Sequence, residues 1–384
     1  MRDARRLEPD QLCEALRAAR EKTLSWALDL SDEQWVVPRD PNIQPTAWDL
    51  AHIGWFAEFW VLRGPHRLGK DGLTAAHRPG QFFADDPWLD SAVVAHEERW
   101  RRPPERELLL TQLEAQLDAV TAAVCEGGDA DTSYFAHLAL LHECMHAEAL
   151  AWTRATCGYA APPGVAMPEV PVAQQLVVPG GDHAIGVDGS QEFAFDNEQP
   201  RHAVTLERFS IDSDPVRNDR FLEFVEDGGY QREDLWPDGR PDRDLPARWR
   251  RAADGSIEQQ HFDRWTPLPK AQPVVHVNAY EAEAFCRWAG RRLPSAAEWE
   301  AAATRGIRWG RTVWEWTCDP FAPYAQGFRP GPYTTYSAPW FHHQRELRGG
   351  SYCTDALVHD PRYRNFFAPQ RTDVFAGFRT AATT

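Results

Sequence analysis

The chain has 384 residues, 43% of them hydrophobic and 26% charged, and 57 acidic against 41 basic side chains give a formal charge of -16. That balance opposes the field of a phosphate backbone and argues against nucleic acid as a partner. The length suggests two domains, no apolar run comes near the ~18 residues that a membrane span needs, and no charged-then-apolar leader opens the chain, so we expect a cytoplasmic protein without a membrane partner.

The first 160 residues read as helices. Leu12, Leu16, Ala19, Thr23, Trp26 and Leu30 keep a three-to-four spacing, which predicts one helix with a single buried face from Pro9 to Leu30. A second starts after Pro45 and runs through "TAWDLAHIGWFAEFWVL" to Gly64. A third covers Glu105 to Val124, in phase at Leu109, Leu113, Leu117, Val120 and Val124, and stops at Gly127-Gly128. The fourth carries "ALLHECMHAEAL". Such a set, with one long connection over about residues 64–104, predicts a four-helix bundle whose core can host a metal.

Residues 159–174, rich in Pro, Ala and Gly, read as a linker between a helical domain over 1–158 and a second domain over 175–384. Beyond it, short alternating runs such as Gln175 to Val178 and His202 to Leu206 mix with Gly and Pro turns and brief helices, the grammar of an α+β fold. Seven cysteines at 13, 125, 144, 157, 286, 318 and 353 include no CxxC pair, which predicts reduced thiols. The 17 tryptophans fit aromatic-rich packing and cation-holding sites equally.

His142 and His146 lie four residues apart on the fourth helix, so both rings leave the same face, with Cβ atoms about 6 Å apart. One ion needs that spacing from two imidazoles. His52, mid-helix among Trp48, Trp55 and Phe59, is the candidate third ligand. Three neutral nitrogens on one side of an ion leave the opposite positions for substrate and oxygen, and zinc with a bound water fits the same triad. Glu148, two residues from His146 and off its face, reads as a solvated carboxylate or as one that orients a ligating ring.

His52 followed by His142-x-x-x-His146-x-Glu148 resembles the metal signature of the ergothioneine-type sulfoxide synthases, whose first half is a DinB-like four-helix bundle. The second half resembles their C-type-lectin-like partner, the formylglycine-generating-enzyme fold, through "VPGGDHAIG", "FDNEQPRHAV", "RRLPSAAEWEAAA", "VWEWT", "LRGGSY", "YRNFF" and "GFR". The resemblance implies a non-haem Fe(II) on His52, His142 and His146 that uses O2 to join a chalcogen donor to imidazole C2 of hercynine, with the C-terminal domain closing the active site. It also implies a catalytic tyrosine at Tyr336 or its neighbour Tyr333, with Asn365 and Phe366 against hercynine.

Where this sequence departs from the sulfur branch, it bears on the donor. Met145 stands where that branch often has Gln, and Phe367 where users of γ-glutamylcysteine have an aspartate, although Arg371 matches a basic residue of the pattern. "FFADDPWLDSAVVAHEERW" and "YSAPWF", which contains Trp340, resemble the selenoneine synthase branch, whose donor is a selenosugar. Asp85, Asp86, Asp90 and Arg99 are then candidates for the sugar hydroxyls. A thiol-using sulfoxide synthase is the alternative, and a non-catalytic metal- or sugar-binding protein a further one. Formylglycine generation is disfavoured because Cys353 has no second cysteine after it.

Overall fold

The computed structural model describes residues 4–237 and 239–383. The chain forms two compact units: the first comprises the chain up to Pro163 with Gly189–Asp196 and Pro330–Pro339, the second Gly164–Asp188, Asn197–Arg329 and Trp340–Thr384. A single cut at the linker does not anticipate the two later segments of the first unit. Each is tied in by its own bonds: Phe193 N donates to Arg5 O at 3.1 Å, and Thr74 Oγ1 donates to Pro332 O at 2.7 Å.

In the first unit, helix α1 (Pro9–Ser25) starts at a proline behind a Glu8 capping box and buries Leu12, Leu16, Ala19 and Thr23. It ends before the expected Leu30. Arg154 takes the Trp26 carbonyl at 2.9 Å, an acceptor that a continuing helix would use itself, and bonds Asp29 at 2.6 Å. After the short α2 (Asp32–Trp35) comes α3 (Thr46–Ala57), every residue of which is buried. It widens into a π-turn over Glu58–Leu62. There the buried Glu58 carboxylate accepts from the backbone N–H groups of Gln81, Phe82 and Phe83. Gly54 permits this packing, since a Cβ there would lie 2.5 Å from the Phe83 ring.

The long connection is structured, holding the hairpin β1 (His66–Leu68) and β2 (Thr74–Ala76), the one-turn helix α4 (Asp86–Leu89) and a 3-10 turn at His96–Trp100. Helix α5 (Arg106–Cys125) is capped by the Glu105 carboxylate. Its length and composition would suffice to cross a membrane, contrary to the expectation that no segment does; here its stripe of Leu109, Leu113, Leu117 and Val120 is buried, and it packs against α1 and α3. Helix α6 (Ala130–Cys157) begins at the Asp129 cap and ends at Gly158, whose φ of 68° suits a residue without Cβ. Cys13 and Cys125 form a disulfide between α1 and α5, which corrects the expectation of seven reduced thiols; the other five form none. A separation of 112 residues hides the pair until the helices are packed.

Among the described residues the second unit contains four small sheets: β14-β6-β3 (Ala381–Thr383, Phe209–Asp212, Gln175–Val178), β4-β5 (Gly181–Ile185, His202–Leu206), β7-β8-β9 (Trp249–Arg251, Ile257–His261, Arg264–Pro267) and β12-β11-β10-β13 (Asn365–Phe367, Arg345–Gly349, Trp314–Pro320, Ala376–Gly377). Helices α7 (Asn218–Glu226), α8 (Ala279–Trp288) and α9 (Ala296–Ala303) complete it. The sequence motifs of this half form a buried ionic lattice. Arg379 pairs with Glu315, which also accepts from Trp299 Nε1 at 2.8 Å, and Arg348 and Arg364 share Glu346. Fully desolvated charges of this kind need every partner in place. Gly349, at φ 100°, lets the chain pass the Trp299 ring.

Candidate metal centre

Helices α3 and α6 bring His52, His142 and His146 together, with one potential ligand atom from each within 4.8 Å of the others. No second such cluster occurs among the described residues. Ring centroids are 5.0 Å apart for His52 and His142, 4.9 Å for His52 and His146, and 4.4 Å for His142 and His146.

Two of the rings are oriented by hydrogen bonds through Nδ1. His52 Nδ1 donates to Leu89 O at the end of α4, and His146 Nδ1 donates to Asp49 Oδ1, both at 2.7 Å. A donor at Nδ1 leaves Nε2 as the lone-pair nitrogen, the tautomer that a metal ligand requires. His142 differs: its Nδ1 is buried without a hydrogen-bond partner, and its ring lies flat on Phe56 with centroids 3.6 Å apart. Trp48 stacks on His52 at 4.7 Å, and Trp55 stacks on it at 5.7 Å.

Burial first, then the neighbouring His146, pushes the His142 imidazole well below its ordinary pKa. The same two causes act on His52, against the Leu89 carbonyl, which favours the charged ring. Both rings are therefore neutral at neutral pH and free to donate a lone pair. Three converging imidazoles fit a divalent cation, and the donor set suits iron and zinc alike.

Asp49 is the carboxylate that bonds His146. It is 2% exposed and three residues before His52, and an acid on a mostly apolar helix was the available signal in the sequence. Glu143, inside the His142–His146 motif, pairs with Arg20 of α1 at 2.7 Å, and that guanidinium also donates to Leu113 O.

Both candidate tyrosines lie on Pro330–Pro339, in the same unit as the histidines. Tyr333 packs edge-on against Phe56 at 5.1 Å, and burial drives its pKa up to about 12 despite the hydrogen bond to Ser91. Tyr336 stacks on Phe195 at 4.5 Å, and its hydroxyl approaches Met145 Sδ at 3.8 Å.

The expected sugar-binding residues divide. Asp86 is committed elsewhere: it accepts from both terminal nitrogens of Arg63 at 2.7 Å and from Trp55 Nε1 at 2.8 Å, bonds that hold its pKa down in spite of burial. Asp85 is half exposed and 3.8 Å from Arg102. Burial raises the pKa of Asp90. Arg99 lies over Trp48 at 4.3 Å and bonds Gln44 and the Ser91 carbonyl, while its Nε is buried without a partner.

The remaining candidates belong to the second unit. Asn365 opens β12, and Phe366 stacks on Phe321 at 4.1 Å. Arg371 bonds Asp373 through Nε at 3.0 Å and lies over Phe367 at 4.9 Å, and Trp340 is 45% exposed.

Residues 15–150 match the DinB superfamily, and residues 163–312 and 310–384 match the Sulfatase-modifying factor enzyme 1-like domain. The hercynine oxygenase of Mycobacterium tuberculosis is 31% identical, covering 97% of this chain and 99% of its own length. That of Mycolicibacterium thermoresistibile is 32% identical, covering 97% and 94%. A formylglycine-generating enzyme of Streptomyces coelicolor is 29% identical over 58% of this chain and 93% of its own. Because the hercynine oxygenases align across both halves and the formylglycine-generating enzyme only across part, the chain belongs to the hercynine oxygenase family of ergothioneine-type sulfoxide synthases.

Proposed function

We propose that this chain joins selenium from a selenosugar to C2 of the hercynine imidazole, in an oxygen-dependent reaction at a non-haem iron held by His52, His142 and His146. The observation that carries this reading is the triad of converging imidazoles in a chain whose full-length relatives are hercynine oxygenases. Bound there, Fe(II) supplies the one-electron chemistry with O2 that no side chain offers. The protein contributes orientation, exclusion of water and a proton. Trp48, Trp55 and Phe56 wall the histidines with apolar rings. Tyr336 is assigned the proton-donor role, and Tyr333 packs edge-on against Phe56.

The choice of selenium rests on the resemblance of "FFADDPWLDSAVVAHEERW" and "YSAPWF" to the selenoneine synthase branch, and Phe367 and Met145 offer no charge to an amino-acid donor. The family itself favours a second reading, a carbon–sulfur bond to a thiol donor. Iron-loaded protein incubated with hercynine and either a 1-seleno sugar or its thio counterpart, with and without oxygen, separates the two. A selenium adduct by mass spectrometry that forms only with oxygen supports the first. Turnover with sulfur donors alone assigns the second, and no adduct with any donor from iron-replete protein refutes both.

A further inference from the structure

We infer that Asp49 is a positioning residue that locks the His146 tautomer and makes that ring the strongest of three unequal ligands; the inference rests on the metal reading above. The three rings differ in what stands behind them. His146 donates from Nδ1 to a carboxylate at 2.7 Å, His52 to a neutral backbone carbonyl at 2.7 Å, and His142 to nothing. A carboxylate acceptor draws the Nδ1 proton toward itself and raises the electron density at Nε2; a carbonyl does so less, and a stacked phenyl ring does not.

The geometry makes this bond hard to replace. Asp49 is 2% exposed, so water does not compete for its oxygen, whereas the His146 side chain is 21% exposed and would otherwise turn toward solvent. Asp49 and His52 also share α3, so the helix that supplies one ligand supplies the orienting carboxylate of another. Rotation or displacement of α3 therefore moves two ligands together. Arg99, whose pKa burial lowers and the Asp49 charge raises, adds a cation near the carboxylate.

Asp49→Asn keeps the side-chain shape and removes the charge; Asp49→Glu keeps the charge and shifts it. The metal-free proteins are first compared by nitrogen-15 NMR of labelled histidine, which reads the His146 tautomer directly, with circular dichroism to confirm the fold. Co(II) and anaerobic Fe(II) are then titrated against a competing chelator. The wild type is expected to show one Nδ1–H tautomer, Asp49→Asn a mixture with a 10- to 100-fold weaker metal affinity and shifted Co(II) absorption bands, and Asp49→Glu a partial return. A folded Asp49→Asn protein that keeps both the tautomer and the affinity within twofold overturns the inference. A folded wild type that shows the tautomer and binds neither metal overturns the metal reading instead, and with it the ranking of ligands.

Discussion

Phe56 lies against His142 with the two rings 5° from parallel and 3.6 Å apart at their centroids. Because His142 has no hydrogen-bond partner at Nδ1, this stack is the contact that holds its ring angle. Phe56→Leu keeps apolar volume and loses the flat face. The expected result is a folded protein with metal affinity reduced several-fold, measured by chelator competition. Phe56→Ala, which opens a cavity in the bundle, is expected to cost about 3–5 kcal/mol of stability as well. Unchanged affinity in Phe56→Leu would mean that the helix alone sets the ring.

Asp86 supports His52 through α4. Its bonds to Arg63 and Trp55, with the Trp48 Nε1 bond to Trp88 O at 2.9 Å, fasten α4 to α3 and so place the Leu89 carbonyl over His52 Nδ1. Asp86→Asn is therefore expected to lower metal occupancy and kcat with the donor KM little changed. A sugar-binding role requires the reverse, a raised donor KM at full occupancy. Metal analysis beside steady-state kinetics distinguishes them.

The metal-free protein is expected to lose stability as pH falls below about 6.5, the unfolded value of histidine. Burial, followed by the charge of His146, depresses the folded pKa values of both His52 and His142. The unfolded chain takes up protons that the fold refuses. The stability these groups contribute is thus complete above 6.5 and is lost as pH drops toward the depressed values, at about 1.4 kcal/mol per pH unit per group. Urea denaturation of metal-free protein from pH 5 to 7.5 measures the slope. His142→Asn should reduce it, and a flat wild-type profile would show that these rings are charged in the fold.

Several of these relationships were open to reading from the chain, and the reasons differ. The His142–His146 pair is legible because the helical period fixes it locally, and His52 because an imidazole interrupts an aromatic face. Asp49 carried a weaker signal, an acid buried on a helix whose every neighbour is buried too. The Leu89 carbonyl carried none, since any residue type presents one. The Asp86–Arg63 bond was hidden because an acid in a long loop looks the same whether it waits for a ligand or clamps an arginine 23 residues away. The return of Gly189–Asp196 and Pro330–Pro339 to the helical unit was hidden for a similar reason. Their partners, such as Arg5 for Phe193 and Thr74 for Pro332, lie 188 and 258 residues distant, beyond any periodicity.

The two tyrosines of that returning segment should separate cleanly. The Tyr333 hydroxyl is already engaged by Ser91 and Thr335, in a buried setting that pushes its pKa up to about 12. Tyr333→Phe should cost stability, at about 1 kcal/mol for the lost hydrogen bonds, and leave the product unchanged. Tyr336 presents its hydroxyl beside the Met145 thioether, one residue from His146. Removing it should leave metal affinity within twofold and lower kcat by about 10² or more, as expected for loss of a general acid. Metal titration, urea denaturation and product masses for both variants give the comparison. A Tyr333→Phe variant with the larger kcat defect would transfer the proton-donor role to Tyr333 and leave Tyr336 as a wall of the site.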